Sequence, residues 1–343
     1  MASVFDILHD GINRVMQIKE NDSPNLAWGA IPDLHGKVAL VTGANSSQGI
    51  GYHVAQQLAI KGARVYIGAR AHEKAEDAIR QMRKEATQIS DSQLLPFVAD
   101  FADLRSVHAA AKQLLRNESR LDILVNNAGL LARPLDFTPD GISLSFTVNH
   151  LAPFLLTTTL LPLILSSGAA SSPTAARVIT TSSSLHLMLP AGQRFRGADD
   201  FNQDFGAADH MLSNFARYGY AKLANILFAK RLHRVFSSAG ANALSLAIHP
   251  GRVGTAGTVA LIGEERARGA LDPFDGAATT LFAAAMPVVE RERGTYGGAY
   301  LVPFGEVGEA SVDAEDQRLA DELWEASEAV LERVLRGQAG GTL

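Results

Sequence analysis

The feature that most constrains the fold is a regular alternation of short apolar runs with helix-length segments, which begins at Lys37. Such runs are typical of strands buried on both faces of a sheet, and strand–helix–strand order makes neighbouring strands parallel. The alternation therefore predicts an α/β fold with a doubly wound parallel sheet. Its apolar runs are Val38–Thr42, Val65–Gly68, Leu95–Val98, Ile123–Val125, Val178–Thr181 and Ala243–Ile248.

The pattern places a single domain at about residues 37–305, with a helical extension on either side. Residues 1–36 begin with apolar side chains at helical spacing between Val4 and Met16, and we expect this short amphipathic helix to pack on the domain. Residues 306–343 contain a second periodic, charged segment at Asp313–Leu335, which predicts a closing helix.

Composition and charge exclude several functions. Lys and Arg total 31 and Asp and Glu total 36, a formal net charge of −5, so the chain lacks the concentrated positive surface of a nucleic-acid binder. It has no cysteine, which excludes thiolate catalysis and fits a reducing compartment. His186 and His249 lack the neighbouring motifs of a zinc site or a serine hydrolase, so no metal site is predicted.

One long uncharged stretch raises the question of a membrane. Residues 141–176 contain no Asp, Glu, Lys or Arg and are long enough to cross a bilayer, but Asn149, His150, Pro153 and Pro162 interrupt them. We interpret this stretch as a strand end, a buried helix and a loop. The sequence therefore predicts no stable membrane insertion and a cytoplasmic protein.

A glycine-rich turn, TGANSSQGIG, lies between the first predicted strand and the first helix. Glycines permit a tight turn and close approach of the backbone to a pyrophosphate, whose charge the N–H groups of the helix N-terminus stabilise. The turn therefore predicts a dinucleotide site, although a plain strand–helix turn is the alternative. Its candidate contacts are Gly43, Asn45, Ser46, Ser47, Gly49, Ile50 and Gly51.

The end of the second strand indicates which nicotinamide cofactor binds. Sites for NAD carry an acidic side chain here, but Gly68–Ala71 has none and offers Arg70 instead. A guanidinium in this place can pair with a 2′-phosphate, and Ser46 or Ser47 could reach the same group. The sequence predicts NADP(H), with a solvated Arg70 as the alternative.

Four ordered motifs together resemble the short-chain dehydrogenase/reductase family: the glycine turn, Asn126–Gly129 (NNAG), a serine near Ser183, and the run Tyr218–Lys222 (YGYAK). The stretches PDLHGKVALVTGAN, NHLAPFLLTT, YGYAKLANILFAK and HPGRVGT are more specifically similar to its retinol-dehydrogenase-like branch and the fungal relatives of that branch. The resemblance extends from about Ile31 to Leu335 and implies one Rossmann-like domain with a nicotinamide cofactor.

The resemblance implies a Ser–Tyr–Lys centre, in which Ser183 holds the substrate oxygen, Tyr218 is the acid/base, Lys222 activates it and Asn149 belongs to a proton relay. Ser182 and Ser184 remain alternatives to Ser183. Tyr218 and Lys222 also contact the cofactor in this family. Further cofactor contacts that the resemblance implies are Asp100, Phe101, Asn127, Ala128, Gly129, Pro250, Gly251, Val253 and Thr255.

The glycine turn departs from the family pattern. The family usually has three residues between the first two glycines, whereas Ala44–Gln48 makes five. If the helix begins at its usual place, two extra polar residues must bulge outward, which leaves the individual pyrophosphate contacts open.

The spacing of Tyr218 and Lys222 agrees with this chemistry independently. A tyrosine has an ordinary pKa near ~10, and a lysine at i+4 lies on the same helix face, where its charge favours the phenolate. Tyr220 is two residues from Lys222 and points elsewhere. The sequence predicts NADPH-dependent interconversion of a carbonyl and an alcohol; an enone reductase, a cofactor-bound isomerase or dehydratase, and a catalytically silent NADP sensor are alternatives.

Two segments after predicted strands, Leu185–Arg217 and Gly254–Asp272, suggest the substrate. Ligands of open α/β sheets bind at the carboxyl ends of strands, and apolar side chains there favour a bulky hydrophobic small molecule, a secondary metabolite on the fungal-type resemblance. The alternative is that the phenylalanines only pack the loop onto the domain. Whether the chain forms a homo-oligomer is left open. The apolar side chains are Leu187, Met188, Leu189, Phe195, Phe201, Phe205, Met211, Phe215, Val259, Leu261 and Ile262.

Overall fold

The structure, a computed structural model, describes residues 3–18, 30–169, 172 and 174–337. These residues form a three-layer fold in which helices cover both faces of one sheet. The strands are β1 Val38–Val41, β2 Arg64–Ala69, β3 Leu94–Val98, β4 Ile123–Asn126, β5 Ala176–Thr181, β6 Ala243–Ile248, β7 Tyr300–Val302 and β8 Glu306–Val307.

The helices differ widely in length, from single turns to the 28 residues of Met211–Ser238. They are α1 Val4–Met16, α2 Ile50–Ile60, α3 His72–Glu85, α4 Leu104–Asn117, α5 Leu144–Phe146, α6 Ala152–Ser167, α7 Ala198–Phe201, α8 Met211–Ser238, α9 Ala256–Ile262, α10 Glu264–Ala267, α11 Pro273–Gly276, α12 Ala278–Ala285, α13 Pro287–Arg291, α14 Arg293–Tyr296 and α15 Gln317–Arg336. A π-helical turn at Thr147–Leu151 joins α5 to α6, and 3₁₀ turns occupy Ser184–Met188 and Asp313–Glu315.

The strand order β3-β2-β1-β4-β5-β6-β7-β8 confirms the doubly wound sheet. Strands β1 to β7 are parallel, and each of the six predicted runs falls on one of β1 to β6. The chain winds away in opposite directions from β1 and β4, and the gap between their carboxyl ends is where such sheets bind ligands.

Two features of the sheet were not predicted. The strand β7 has only three residues, and the two-residue β8 pairs antiparallel with it. The sheet is therefore parallel except at this edge and reaches Val307, just past the expected domain boundary at 305. The division into 1–36, 37–305 and 306–343 stays a prediction, and parts of both ends lie outside the described residues.

Both flanking helices pack on the domain. Helix α1 begins at an N-cap, Ser3, and buries Leu8 in the same apolar cluster as α4, α6 and α8. Helix α15 begins at the N-cap Asp316 and buries one face, with the Trp324 ring centroid 4.8 Å from that of Phe154 and 5.9 Å from that of Phe228. A second cluster fills the opposite face of the sheet, beneath α2, α3, α12 and α13.

The uncharged stretch is mainly one continuous helical segment, Leu144–Ser167, made of α5, the π-helical turn and α6. Among the described residues it is the one helix long and apolar enough to span a membrane, and 72% of its most apolar window is buried within the protein. The predicted buried helix is therefore present, and Ala176, at the end of the stretch, begins β5.

Candidate active site

The four candidate catalytic side chains come from three elements that meet at the carboxyl edge of the sheet. Ser183 follows β5, Tyr218 and Lys222 lie one turn apart on α8, and Asn149 lies in the π-helical turn before α6. Short π-helical turns are rare in proteins, and a large share of those that occur lie at functional sites. The structure therefore brings together residues that are up to 73 positions apart in the chain, the separation of Asn149 and Lys222 (222 − 149).

Ser183 is the serine that faces the tyrosine. Its hydroxyl interacts with the phenol of Tyr218 and lowers the pKa of that phenol, and its oxygen accepts from the backbone N–H of Leu185, 3.2 Å away. The hydroxyl of Ser182 instead donates to the Lys222 carbonyl at 2.7 Å, inside the core. Of the two neighbouring hydroxyls, only that of Ser183 contacts Tyr218.

Tyr218 is partly exposed, whereas Lys222 beneath it is 3% exposed. The Lys222 Nζ lies 5.3 Å from the centroid of the Tyr218 ring and donates to the Thr181 carbonyl at 2.9 Å. Burial raises the pKa of Tyr218 to about 12, and the hydrogen bond from Ser183 acts in the opposite direction. Burial lowers the pKa of Lys222 to about 7. At neutral pH the phenol therefore keeps its proton.

Asn149 is fully buried and its amide is saturated by backbone partners. Its Nδ2 donates to the carbonyls of Leu130 and Ser145, and its Oδ1 accepts from the Leu130 N–H at 3.0 Å. Gly129 separates it from the lysine: a Cβ there would lie 2.6 Å from Asn149 Oδ1 and 3.6 Å from Lys222 Nζ. Only glycine fits between these two side chains.

Tyr220 is not part of this group. Its ring is 2% exposed and stacks on Phe195, with ring centroids 4.4 Å apart, and its hydroxyl donates to the Arg194 carbonyl. The predicted distinction between the two tyrosines of the motif therefore agrees with their surroundings.

The two histidines considered above have other partners. The Nδ1 of His186 donates to the Ser183 carbonyl at 2.7 Å, while its Nε2 accepts from the Ser311 N–H at 3.2 Å, an arrangement that assigns the proton to Nδ1. Burial lowers the pKa of His186 to about 4. His249 is buried at the end of β6. Among the described residues, no group of three or more His, Asp or Glu side chains is placed to hold a metal ion.

The glycine turn lies beside the four catalytic candidates, between the ends of β1, β2 and β4. The Thr42 hydroxyl accepts from the N–H groups of Asn127 and Ala128, and Asn127 Nδ2 donates to the Thr42 carbonyl at 2.8 Å. A Cβ on Gly51 would lie 2.4 Å from Asn127 Nδ2, so the start of α2 can approach this close only as glycine. Helix α2 begins after Gly49 with no side-chain cap, which leaves its first N–H groups available to a pyrophosphate.

The inserted residues of this turn reach toward α9. Ser46 and Gln48 are exposed, as the outward bulge requires, while Asn45 and Ser47 are partly buried. The Gln48 carbonyl accepts from the Ala256 N–H at 3.2 Å, and the Ser47 carbonyl contacts His53 Nε2 at 2.8 Å. The insertion is thus bonded to the first residue of α9, a contact that the sequence did not reveal.

The remaining cofactor candidates occupy one edge of the sheet. Arg70 follows β2, is exposed, and makes no hydrogen bond or ion pair within the part of the chain that is described. The Asp100 carboxylate accepts from the Ala102 N–H at 3.0 Å, while Phe101 is 9% exposed in the apolar core and can offer a ligand little but its backbone.

The segment after β6 completes this edge. Pro250 and Gly251 are buried, Gly251 has a φ of +89°, and Val253 is 5% exposed. Thr255 is the N-cap of α9, with its hydroxyl accepting from the Thr258 N–H.

The apolar loop residues do not share one environment. Phe205 and Phe215 are partly buried and pack against the core cluster, whereas Met211 and Leu261 are exposed. Met188, Leu189, Phe195 and Phe201 are buried in the core, so for them the packing alternative is correct. Partly exposed apolar side chains follow β4, β5 and β6 instead, and these can face a ligand: Leu130, Leu131, Leu185, Leu187, Val259 and Ile262.

Comparisons with known proteins agree with this geometry. The family model for short chain dehydrogenases matches residues 37–194. A short-chain dehydrogenase/reductase of Armillaria gallica is 41% identical over 310 residues, covering 88% of this chain and 94% of that protein. Retinol dehydrogenase 14 of Mus musculus is 35% identical over 316 residues, covering 87% and 86%. The solved structure of the Pseudomonas aeruginosa RhlG/NADP active-site complex has a TM-score of 0.58 and 25% identity, covering 80% of this chain and 98% of that chain. The chain belongs to the short-chain dehydrogenase/reductase family, and its relatives include both retinol-dehydrogenase-like and fungal members.

Proposed function

We propose that this protein interconverts a carbonyl and an alcohol on a bulky hydrophobic small molecule, with NADP(H) as cofactor. The observation that carries the proposal is the contact of the Ser183 hydroxyl with Tyr218, with Lys222 Nζ 5.3 Å from the same ring. An acid at the substrate oxygen is what carbonyl reduction demands, and a silent sensor has no use for one.

The residues around the glycine turn fit the cofactor. The uncapped start of α2 suits a pyrophosphate, and the exposed Arg70 suits a 2′-phosphate, with no acidic residue in Gly68–Ala71 to repel it. NADP is also bound by the related RhlG. When bound, NADPH supplies the hydride that the substrate carbon receives.

The protein's own residues then handle the oxygen. Ser183 holds the carbonyl oxygen by a hydrogen bond, and Tyr218, protonated at neutral pH, transfers its proton to that oxygen as charge develops there. A protonated Lys222 favours the resulting phenolate, because opposite charges at this separation stabilise one another. Asn149 holds the segment at Leu130 against the lysine side of the site and is the candidate for the proton relay.

The substrate class rests on the partly exposed apolar side chains at the strand ends. Leu130 and Leu131 follow β4, Leu185 and Leu187 follow β5, and α9 adds Val259 and Ile262. Apolar walls exclude water and favour a ketone or aldehyde on a large skeleton over a sugar or an acid. On the fungal-type resemblance we place this substrate in secondary metabolism. The composition without cysteine, which fits a reducing compartment, is the ground on which we place the enzyme in the cytoplasm.

The test is a steady-state comparison of ketones of increasing apolar bulk, each with NADPH and with NADH. We expect kcat/KM to rise with apolar bulk and to be higher with NADPH. Specificity constants that fall as bulk grows would contradict the substrate class, and the absence of turnover on every ketone would contradict the reaction.

A further inference from the structure

We propose that Arg217, the residue before Tyr218, is a positioning residue that sets substrate selectivity by holding together two loops beside the active site. The inference rests on the proposed function and adds to it the residue that holds the apolar side chains after β4 in place.

The Arg217 side chain is 4% exposed and ends among backbone carbonyls. Its Nη1 donates to the carbonyls of Asp204 (2.6 Å) and Ala207 (3.0 Å), and its Nη2 donates to those of Ala208 (2.8 Å) and Arg133 (3.3 Å) and to the Asn214 side chain. One guanidinium therefore joins the loop before α8, the loop after β4 and α8 itself.

Burying a charged guanidinium in this way costs free energy. A buried charge loses its hydration, and no carboxylate in the described part of the chain is hydrogen-bonded to the guanidinium, so the carbonyl dipoles must replace the water. Burial accordingly lowers the pKa of Arg217, against the attraction of Asp204 and Asp209.

The loop before α8 is itself held in an unfavourable conformation. Phe205 has a φ of +53°, which is uncommon for a residue with a side chain, and it directly follows Asp204, whose carbonyl Arg217 binds. Strained residues of this kind persist where their surroundings over-determine them. Helix α1 packs against the outer side of the same loop, so closely that a Cβ on Gly206 would lie 2.6 Å from Val4 Cγ1.

The loop after β4 is the second loop that Arg217 holds. Leu130 is bonded to Asn149, and Leu131 packs against Gly257 of α9, where a Cβ would lie 3.2 Å from Leu131 Cδ1. Two residues later the Arg133 carbonyl accepts from Arg217, and the Leu135 N–H donates to Ala208 at 2.7 Å. Arg217 thus fixes the far end of the segment that presents two apolar side chains between Asn149 and α9.

The test compares Arg217→Lys with a matched control on the same helix, Arg234→Lys. Arg234 pairs with Asp321 on the outer surface, away from both loops. A lysine at 217 keeps the charge but cannot reach all the carbonyls at once. The probes are fluorenone as the bulky ketone and acetone as the small one, each with saturating NADPH, together with the Kd for NADPH.

We expect Arg217→Lys to lower the ratio of kcat/KM for fluorenone to that for acetone by about two- to tenfold, through KM, the range expected when ordered side chains at an interface are released. The Kd for NADPH stays within about twofold, as it does in the control. Asn214→Ala removes the side-chain acceptor of Arg217 and a 3.4 Å hydrogen bond to Asp209 but keeps the guanidinium and its carbonyl partners. It shifts the ratio in the same direction by less and supplies the test if Arg217→Lys fails to fold.

An active Arg217→Lys enzyme with an unchanged ratio and a lowered Tm would show a purely structural arginine and overturn the inference. A wild-type enzyme that reduces neither ketone would instead contradict the proposed function, so the two failures are distinguishable.

Discussion

Replacing Ala256 by proline removes one hydrogen bond between the glycine-turn insertion and α9, and it should weaken the binding of NADPH. The Ala256 N–H donates to the Gln48 carbonyl, which joins the proposed pyrophosphate segment to the segment that follows Thr255. Proline has no N–H to donate. It is also well tolerated at the first position of a helix, and Thr255, with a φ of −67° and a ψ of 159°, already has the extended conformation that a following proline requires.

The expected size follows from the bond that is lost. A neutral hydrogen bond contributes a net ~0.5–1.5 kcal/mol, and ~1.4 kcal/mol corresponds to a factor of ten. Ala256→Pro should therefore raise the Kd for NADPH by about two- to tenfold, mostly through a faster dissociation rate, because the two segments separate more readily.

The assay is stopped-flow displacement of NADPH, followed by its fluorescence, with Ala256→Ser as the control that keeps the N–H. Equal dissociation rates for wild type and Ala256→Pro would refute the reasoning. So would an Ala256→Ser variant that releases NADPH as fast as the proline variant.

Three further changes test the site. Arg70→Ser should weaken NADPH binding by about 1.5–3 kcal/mol and leave NADH binding nearly unchanged, as measured by calorimetric titration. Tyr218→Phe should abolish nearly all turnover while keeping NADPH binding, whereas Tyr220→Phe should remain active in the same kinetic assay; the reverse result would show that the motif is read in the wrong frame. Lys222→Met should be inactive yet more stable at neutral pH. Burial lowers the pKa of Lys222 from 10.5 to about 7, so between these values the unfolded chain binds the extra proton and wild-type stability rises with pH. Near pH 7 the free energy of unfolding of the variant should exceed that of the wild type by at most about 5 kcal/mol, because each unit of pKa shift corresponds to about 1.4 kcal/mol. Urea unfolding should show this difference shrinking toward pH 10.

The central strands could be predicted from the sequence because they are buried on both faces and therefore appear as uninterrupted apolar runs. All four residues of β1 are buried, as are all six of β6. The edge strand β8, with two exposed residues, leaves no such run. The three residues of β7 are too few to distinguish from an apolar loop.

The direction of loop side chains could not be predicted for a different reason. Between Ser183 and Met211 the chain has no long regular helix or strand, so no periodicity separates core-facing from cleft-facing residues. Phe195 and Phe201 consequently looked like pocket residues, although they are buried beside Phe146 and Tyr220.

The role of Arg217 could not be predicted from the sequence because its partners are mostly backbone carbonyls, which every residue possesses. The motif residues, by contrast, could be identified because their chemistry depends on side-chain type and on fixed spacing along one helix. Tyr218 and Lys222 are the clearest example, since their i+4 relation survives in the structure.

The position of α15 has a consequence for how the protein is made. Ser327 on this helix bonds to His150, the neighbour of Asn149 in the π-helical turn, at 3.1 Å, and Trp324 covers Phe154 and Phe228. During synthesis from the N-terminus, the candidate catalytic residues all leave the ribosome well before this helix does. The apolar faces of α6 and α8 therefore stay uncovered until α15 has emerged, and a nascent chain stalled before Gln317 would present them to chaperones.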